Sequence, residues 1–191
     1  FSAVFLLRHV CDVILVETVG VGQSETDVAH VADTTVLIVQ PFSGDLLQFI
    51  KAGVMEIPDV LAVNKADDEA LARKAVTEVK AALAFEQQTW SRPVLAVSAV
   101  TNLHLDALEA AISAHYNRLR AAGALEAKRA EQVIAWAVSE VVHELGRRGL
   151  AALGGVEGVS AFWSRQPVSR GNARRLTAML GTVQYVVKNE E

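Results

Sequence analysis

Up to about Ala99 the chain sets short aliphatic runs between stretches of mixed character. The runs are Val13-Ile14-Leu15-Val16, Val36-Leu37-Ile38-Val39, Val60-Leu61-Ala62-Val63 and Val94-Leu95-Ala96-Val97. Each is almost wholly aliphatic rather than alternating with polar residues. That pattern predicts strands buried on both faces, as in a parallel sheet covered by helices. Residues 46–55 and 71–85 carry apolar side chains at helical intervals between the runs. The alternation predicts an α/β layer. Pro41 and Pro93 fall beside predicted strands, where a missing amide hydrogen is tolerated.

Beyond Ser98 the strand signals stop and long Ala-rich and Leu-rich helices are predicted. Leu105, Leu108, Ile112 and Leu119 form one stripe, with Asp106 near its start, where a carboxylate suits the helix dipole. Gly123 interrupts it. A second helix over 125–145 carries a broad face of Val133, Ile134, Trp136, Ala137, Val138, Val141 and Val142. Gly146, Gly149, Gly154, Gly155 and Gly158 suggest a loose joint, and 172–180 a short last helix. Two parts are therefore expected: 1–102 as a sheet-bearing domain and 103–191 as a helical extension.

Composition narrows the function classes. Of 191 residues 51% are hydrophobic, and 18 Lys plus Arg face 22 Asp plus Glu for a net charge of −4. A chain this apolar is not disordered for want of a core. It also lacks the basic excess of a broad nucleic-acid footprint, so no nucleic-acid partner is expected. The single cysteine, Cys11, permits no internal disulfide, which points to the reducing cytoplasm, and its place before a predicted strand suggests a small core residue. No run approaches the roughly 20 apolar residues that cross a bilayer, so no membrane association is expected. The first residue is Phe1 rather than Met, and the apolar patch after it is too short for a signal peptide. The chain is expected to start partway through a longer protein.

Chemistry concentrates where predicted strands end. Asn64-Lys65-Ala66-Asp67 directly follows the run at 60–63. Loops at the carboxyl ends of parallel strands are where open α/β sheets bind ligands. A carboxylate there can accept both the ring N–H and the amino hydrogen of guanine. Asn64 can hold the loop, and the stem of Lys65 can lie along the ring face. As a bare four-residue match it is more often an ordinary polar loop than a guanine site. After the run at 13–16 come Glu17, Gly20 and Gly22, and the acidic residue can hold a metal-bound water while glycine lets an amide approach a phosphate. Alone this is a Gly-rich turn. Ser98-Ala99 after the last run could turn amides to the guanine oxygen.

In this order, the three resemble the later half of a GTP-binding domain. The segment Asp12-Val13-Ile14-Leu15-Val16-Glu17-Thr18-Val19-Gly20-Val21-Gly22-Gln23-Ser24-Glu25-Thr26-Asp27, with 41–51 and Asn64-Lys65-Ala66-Asp67, is similar to the MeaB/ArgK family of GTPases over about residues 10–150. These are chaperones of adenosylcobalamin-dependent methylmalonyl-CoA mutase, formerly described as lysine-arginine-ornithine transport ATPases or kinases. The resemblance implies a P-loop NTPase-type sheet, GTP or GDP with Mg2+ as ligands, and the mutase as partner. It would place Glu17 in the magnesium and water network and Gly20 at the γ-phosphate. Gln23 would continue the nucleotide-sensing switch. Asn64, Lys65 and Asp67 would select guanine with Ser98 and Ala99. Asp45, Gln48 and Lys51, within 43–51, would form a second switch that couples to the mutase, although Phe42, Leu46 and Phe49 stand where relatives have small or charged residues.

No Gly-x-x-x-x-Gly-Lys-Ser/Thr occurs in the chain; Gly154-Gly155-Val156-Glu157-Gly158 has no following lysine. Since phosphoryl transfer rests on that cradle, its lysine and its metal-binding hydroxyl, the expectation is the C-terminal portion of such a GTPase, inactive alone. The other reading is a non-catalytic interaction or dimerisation module that retains the guanine loop. The family's helical arm implies a homodimer, and the face around Trp136 suits either that contact or the packing of Trp136, Val138 and Val142 inward on the chain's own sheet. His9, His30, His104, His115 and His143 show no metal-ligand spacing and are expected to be structural or surface residues.

Overall fold

The computed structural model describes residues 2–8, 10–18, 28–41, 57–84 and 90–165. They contain three strands, β1 (Val36–Val39), β2 (Val60–Val63) and β3 (Val94–Ala96). Five helices accompany them: α1 (Ser2–Leu7), α2 (Glu69–Leu83), α3 (Leu105–Ala121), α4 (Ala124–Ala152) and α5 (Gly155–Arg165). A 3-10 turn at Val28–His30 precedes β1. The chain divides into two compact units, Leu15–Glu126 and Phe1–Ile14 with Ala127–Glu191.

The first unit holds the sheet. All three strands run parallel in the order β1-β2-β3, with Val36 opposite Val60 and Leu61 opposite Val94. As the middle strand, β2 is sealed on both faces and both edges, and all four of its residues are 0% exposed. This follows from its uninterrupted aliphatic sequence. On one face Leu61 and Val63 join Val39, Ala75 and Val79, so α2 lays its Ala75 and Val79 side against the sheet. Burying each such Val or Leu side chain contributes roughly 1.5–3 kcal/mol. Asp68 caps α2 by accepting from the Leu71 amide at 3.2 Å, and Glu69 follows in the first turn, both suited to the helix's positive end.

At the amino ends of the strands a polar cluster fastens α3. His115, 3% exposed, meets Thr34 Oγ1 through Nδ1 at 3.0 Å and Asp59 Oδ1 through Nε2 at 3.3 Å. Asp59 also accepts from the Thr35 amide at 2.8 Å, and its carbonyl accepts from Trp90 Nε1 at 2.8 Å. His115 is thus structural, as expected of the histidines, and it lies at the end of the sheet away from the loops that follow the strands.

The second unit is helical. Phe5 of α1, Trp136 of α4 and Trp163 of α5 stack in series, with ring centroids 5.2 Å and 6.1 Å apart. Arg8 donates to Gln132 Oε1 at 2.8 Å and covers the Phe5 ring. Trp136 is buried in this cluster. Its ring partners are the helical residues Phe5 and Trp163, not the sheet residues expected, and Val142 stays 37% exposed.

Several local expectations change. Val13-Ile14-Leu15-Val16 forms no strand, and Val13 and Leu15 are 77% and 93% exposed. A strand requires a neighbour for its backbone groups, and no described segment pairs with this one. Cys11 on the same stretch is exposed rather than a core residue. The glycines beyond 145 separate helical stretches: Gly146 (φ 66°, ψ −172°) is non-helical and divides α4 where the 125–145 helix is expected to end, helix resumes as far as Ala152, and α5 begins at Gly155. Gly158 has a specific need to be small, since a Cβ there would collide with the Leu153 carbonyl oxygen. The helices expected at 46–55 and 172–180 lie outside the described residues.

Candidate functional site

Two loops at the carboxyl end of the sheet come together. The first, 64–68, leaves β2 and runs into α2. Its start is held by the Asn64 amide donating to Val39 O at 2.9 Å, and its middle by the Ala66 amide donating to Val97 O at 3.0 Å. Each neighbouring strand therefore receives one bond from it. Lys65 adopts φ 61°, a left-handed conformation that turns the chain sharply between these anchors. Ala66 is buried, while Lys65 and Asp67 face solvent.

The second loop, 97–104, joins β3 to α3. Ser98 and Leu103 form an antiparallel bridge, Ser98 N to Leu103 O at 3.1 Å and Leu103 N to Ser98 O at 3.0 Å. The fully buried Ser98 donates through Oγ to Asp67 Oδ1 at 2.8 Å and accepts from the Thr101 amide at 3.3 Å. Its hydroxyl thus has one donated and one received bond. Across the same gap the Ala99 amide donates to Asn64 Oδ1 at 3.3 Å. Side chains from one loop hold the other at two points.

The geometry makes Asp67 an oriented acceptor. One carboxylate oxygen is bound by Ser98, and the group stays on an exposed residue with lone pairs for a ligand. A planar partner offering two adjacent donors fits it. Ser98 contributes its hydroxyl, because its amide is committed to Leu103, whereas the long Ala99–Asn64 bond leaves the Ala99 amide the more available of the two.

Of the residues singled out from the sequence, Asn64, Asp67, Ser98 and Ala99 form this cluster and Lys65 flanks it. Glu17 is described and exposed, and it takes no part in the cluster's hydrogen bonds. Gly20, Gln23, Asp45, Gln48 and Lys51 lie outside the described residues. Sequence reasoning missed Thr101, Leu103 and Asp68. Asp68 carried a readable signal, an Asp just before a helical run; the other two act through backbone groups, which no residue type announces.

Among the described residues no three His, Cys, Asp or Glu side chains converge on one point. Nor does any described helix have the length and apolarity to cross a membrane.

Comparison with known proteins agrees with this architecture. Residues 4–153 match the family described as methylmalonyl-CoA mutase-associated GTPase MeaB. A Mycobacterium tuberculosis protein named as a GTPase is 45% identical over 130 residues, 65% of this chain and 39% of that protein. GTPase ArgK of Escherichia coli is 35% identical over 139 residues, 70% of this chain and 42% of its own. The mitochondrial methylmalonic aciduria type A homolog of Caenorhabditis briggsae is 33% identical over 139 residues, covering 70% of this chain and 34% of that protein. The crystal structure of a LAO/AO transport system kinase superposes with a TM-score of 0.61 at 28% identity, over 89% of this chain and 57% of that one, which supports a P-loop NTPase-type sheet. The chain spans about two fifths of the length of the curated relatives it matches. Its matched stretch takes in all three strands and both loops, and the chain belongs to the MeaB family of GTPases.

Proposed function

We propose that this chain carries the guanine-selecting part of a GTPase that assists an adenosylcobalamin-dependent methylmalonyl-CoA mutase. One observation supports the base specificity above others: the Asp67 carboxylate, oriented by Ser98, beside the Ala99 amide held by Asn64. Guanine offers N1–H and the exocyclic amino group to Asp67, and its O6 accepts from Ala99. Adenine presents no such donor pair and would give the free Asp67 oxygen no partner from the base. The stem of exposed Lys65 lies along the ring face in this reading.

GTP and GDP are the corresponding ligands, with Glu17 and Gly20 serving the magnesium and phosphate side and Gln23, Asp45, Gln48 and Lys51 the switches. The mutase partnership and a cytoplasmic setting come from the family. A homodimer would use a surface other than Trp136, which is already covered within the chain. Because no Gly-x-x-x-x-Gly-Lys-Ser/Thr is present in these 191 residues, hydrolysis is ascribed to the protein family and not to this chain by itself.

Calorimetry with GMP, GDP and AMP tests the reading. GMP and GDP should bind with similar, modest affinity and AMP not at all. Equal binding of GMP and AMP would remove guanine selection and favour the non-catalytic module.

A further inference from the structure

Among the described residues, the non-glycine positions with positive φ are Lys65, Asn102 and His104, and all three lie in the two loops of the candidate site. Lys65 and Asn102 have ready explanations, in the sharp turn between two anchored amides and in asparagine's tolerance for this conformation. His104 has neither. It stands at φ 54°, immediately before α3, and its side chain makes no capping bond to that helix.

Its imidazole instead reaches backward, with Nδ1 3.0 Å from the carbonyl oxygen of Ala96. That carbonyl lies on the outer edge of the sheet. In the ladder with β2, Pro93 O and Val97 N point toward β2, so the alternate residues Val94 and Ala96 direct their backbone groups the other way. No described strand pairs there. Since a carbonyl only accepts, Nδ1 must carry the proton. Meanwhile the His104 carbonyl accepts from the Leu108 amide at 3.2 Å in the first turn of α3. One residue thus ties the end of β3 to the start of α3, across the neck of the loop that presents Ser98 and Ala99. Alongside lies a groove of about 660 Å3, with Ala66, Arg73, Val76, Leu95, Leu103 and His104 in its wall.

We infer that His104 is a positioning residue for base recognition: its Nδ1–H bond to Ala96 closes the loop and sets Ser98 against Asp67 and Ala99 against Asn64. The strained backbone of His104 is what aims the ring at Ala96, and the hydrogen bond offsets that strain. The imidazolium donates from Nδ1 as the neutral tautomer does, so the tie survives protonation. This role rests on the guanine reading above.

The test uses the 191-residue chain with GMP and AMP as probes, following the Ala99 amide by NMR. Nitrogen shifts of the His104 ring should show the Nδ1–H tautomer in the wild type. His104→Gly relieves the left-handed strain yet removes the strut, so its melting temperature should hold while GMP affinity falls about fivefold, the worth of one hydrogen bond. His104→Asn tolerates the same φ and places an N–H donor at the Nδ1 position; it should retain GMP binding. An Nε2–H tautomer in the wild type overturns the proposal, as does His104→Gly binding GMP within about twofold of wild type. Should His104→Gly fail to fold, loss of GMP preference in a folded His104→Asn overturns it equally. A wild-type chain with no preference for GMP over AMP overturns the guanine reading itself and this role with it, a failure visible before any variant is made.

Discussion

The hydroxyl of Ser98 donates to the carboxylate of Asp67 at 2.8 Å, joining a buried residue after the last strand to an exposed one after the middle strand. The bond crosses 31 positions of sequence. Because the same oxygen also receives the Thr101 amide, Ser98 orients Asp67 and closes its own loop at once.

Ser98→Ala should therefore do two things. It frees Asp67 to rotate and leaves the Thr101 amide without its acceptor, so GMP binding should weaken about fivefold and stability fall by about 1 kcal/mol. Calorimetry and urea denaturation on the same preparation measure both. Unchanged GMP affinity would show that Asp67 needs no orienting partner.

Asp67→Asn exchanges a group with two acceptor oxygens for one acceptor oxygen and one donor NH2. Xanthine, with N1–H beside a C2 carbonyl, matches that pattern, while guanine presents two donors to it. Base preference should turn from GMP toward xanthosine monophosphate, by about tenfold or more for a reversed hydrogen-bond pair in a partly desolvated site. A variant that still prefers GMP places the base elsewhere.

Leu61→Ala tests the core beneath the loops. Leu61 is fully buried in β2 among Val39, Val63 and Val79, so the substitution should cost about 2–5 kcal/mol. A denaturant midpoint within error of wild type would mean that β2 is not the centre of this sheet.

Trp136→Ala makes the corresponding test of the helical unit, where the indole fills the space between Phe5 and Trp163. A loss of about 3–5 kcal/mol is expected with no change in the mass measured by light scattering. A dimer that dissociates in the variant would reassign Trp136 to an interface.

Cys11 is exposed on a stretch without regular structure. It should react with an aromatic disulfide reagent in native buffer as completely as in denaturant, one thiol per chain. Protection until the chain unfolds would place it in the core after all.

The comparison of two nearly identical runs shows how far the sequence could be read. Val60-Leu61-Ala62-Val63 becomes the sealed middle strand, and the equally aliphatic Val13-Ile14-Leu15-Val16 stands outside any strand with Val13 and Leu15 exposed. The pattern predicts both as strands buried on two faces. Composition encodes a preference for extended backbone, whereas burial and pairing require neighbours that lie elsewhere in the chain. Helix boundaries are more legible: the spacing predicts a helix over 71–85 and α2 runs Glu69–Leu83, because apolar spacing and the Asp68 cap are local. Gly146 breaks the helical backbone where the sequence ends the 125–145 stretch, while Gly155 begins a further helix.

The residues of the 64–68 loop are legible because Asn64, Lys65 and Asp67 lie within four positions and follow a recognisable strand. By itself the sequence determined the α/β class, the family resemblance and which loop residues gather at the candidate site, all of which rest on residue type and short spacing. Only the tertiary structure decided that Ser98 acts through its hydroxyl, that Trp136 turns inward, and that His104 bridges β3 and α3. Those outcomes depend on backbone dihedrals and on groups distant in sequence meeting within hydrogen-bond or van der Waals range, where a few tenths of an ångström separate a bond from none.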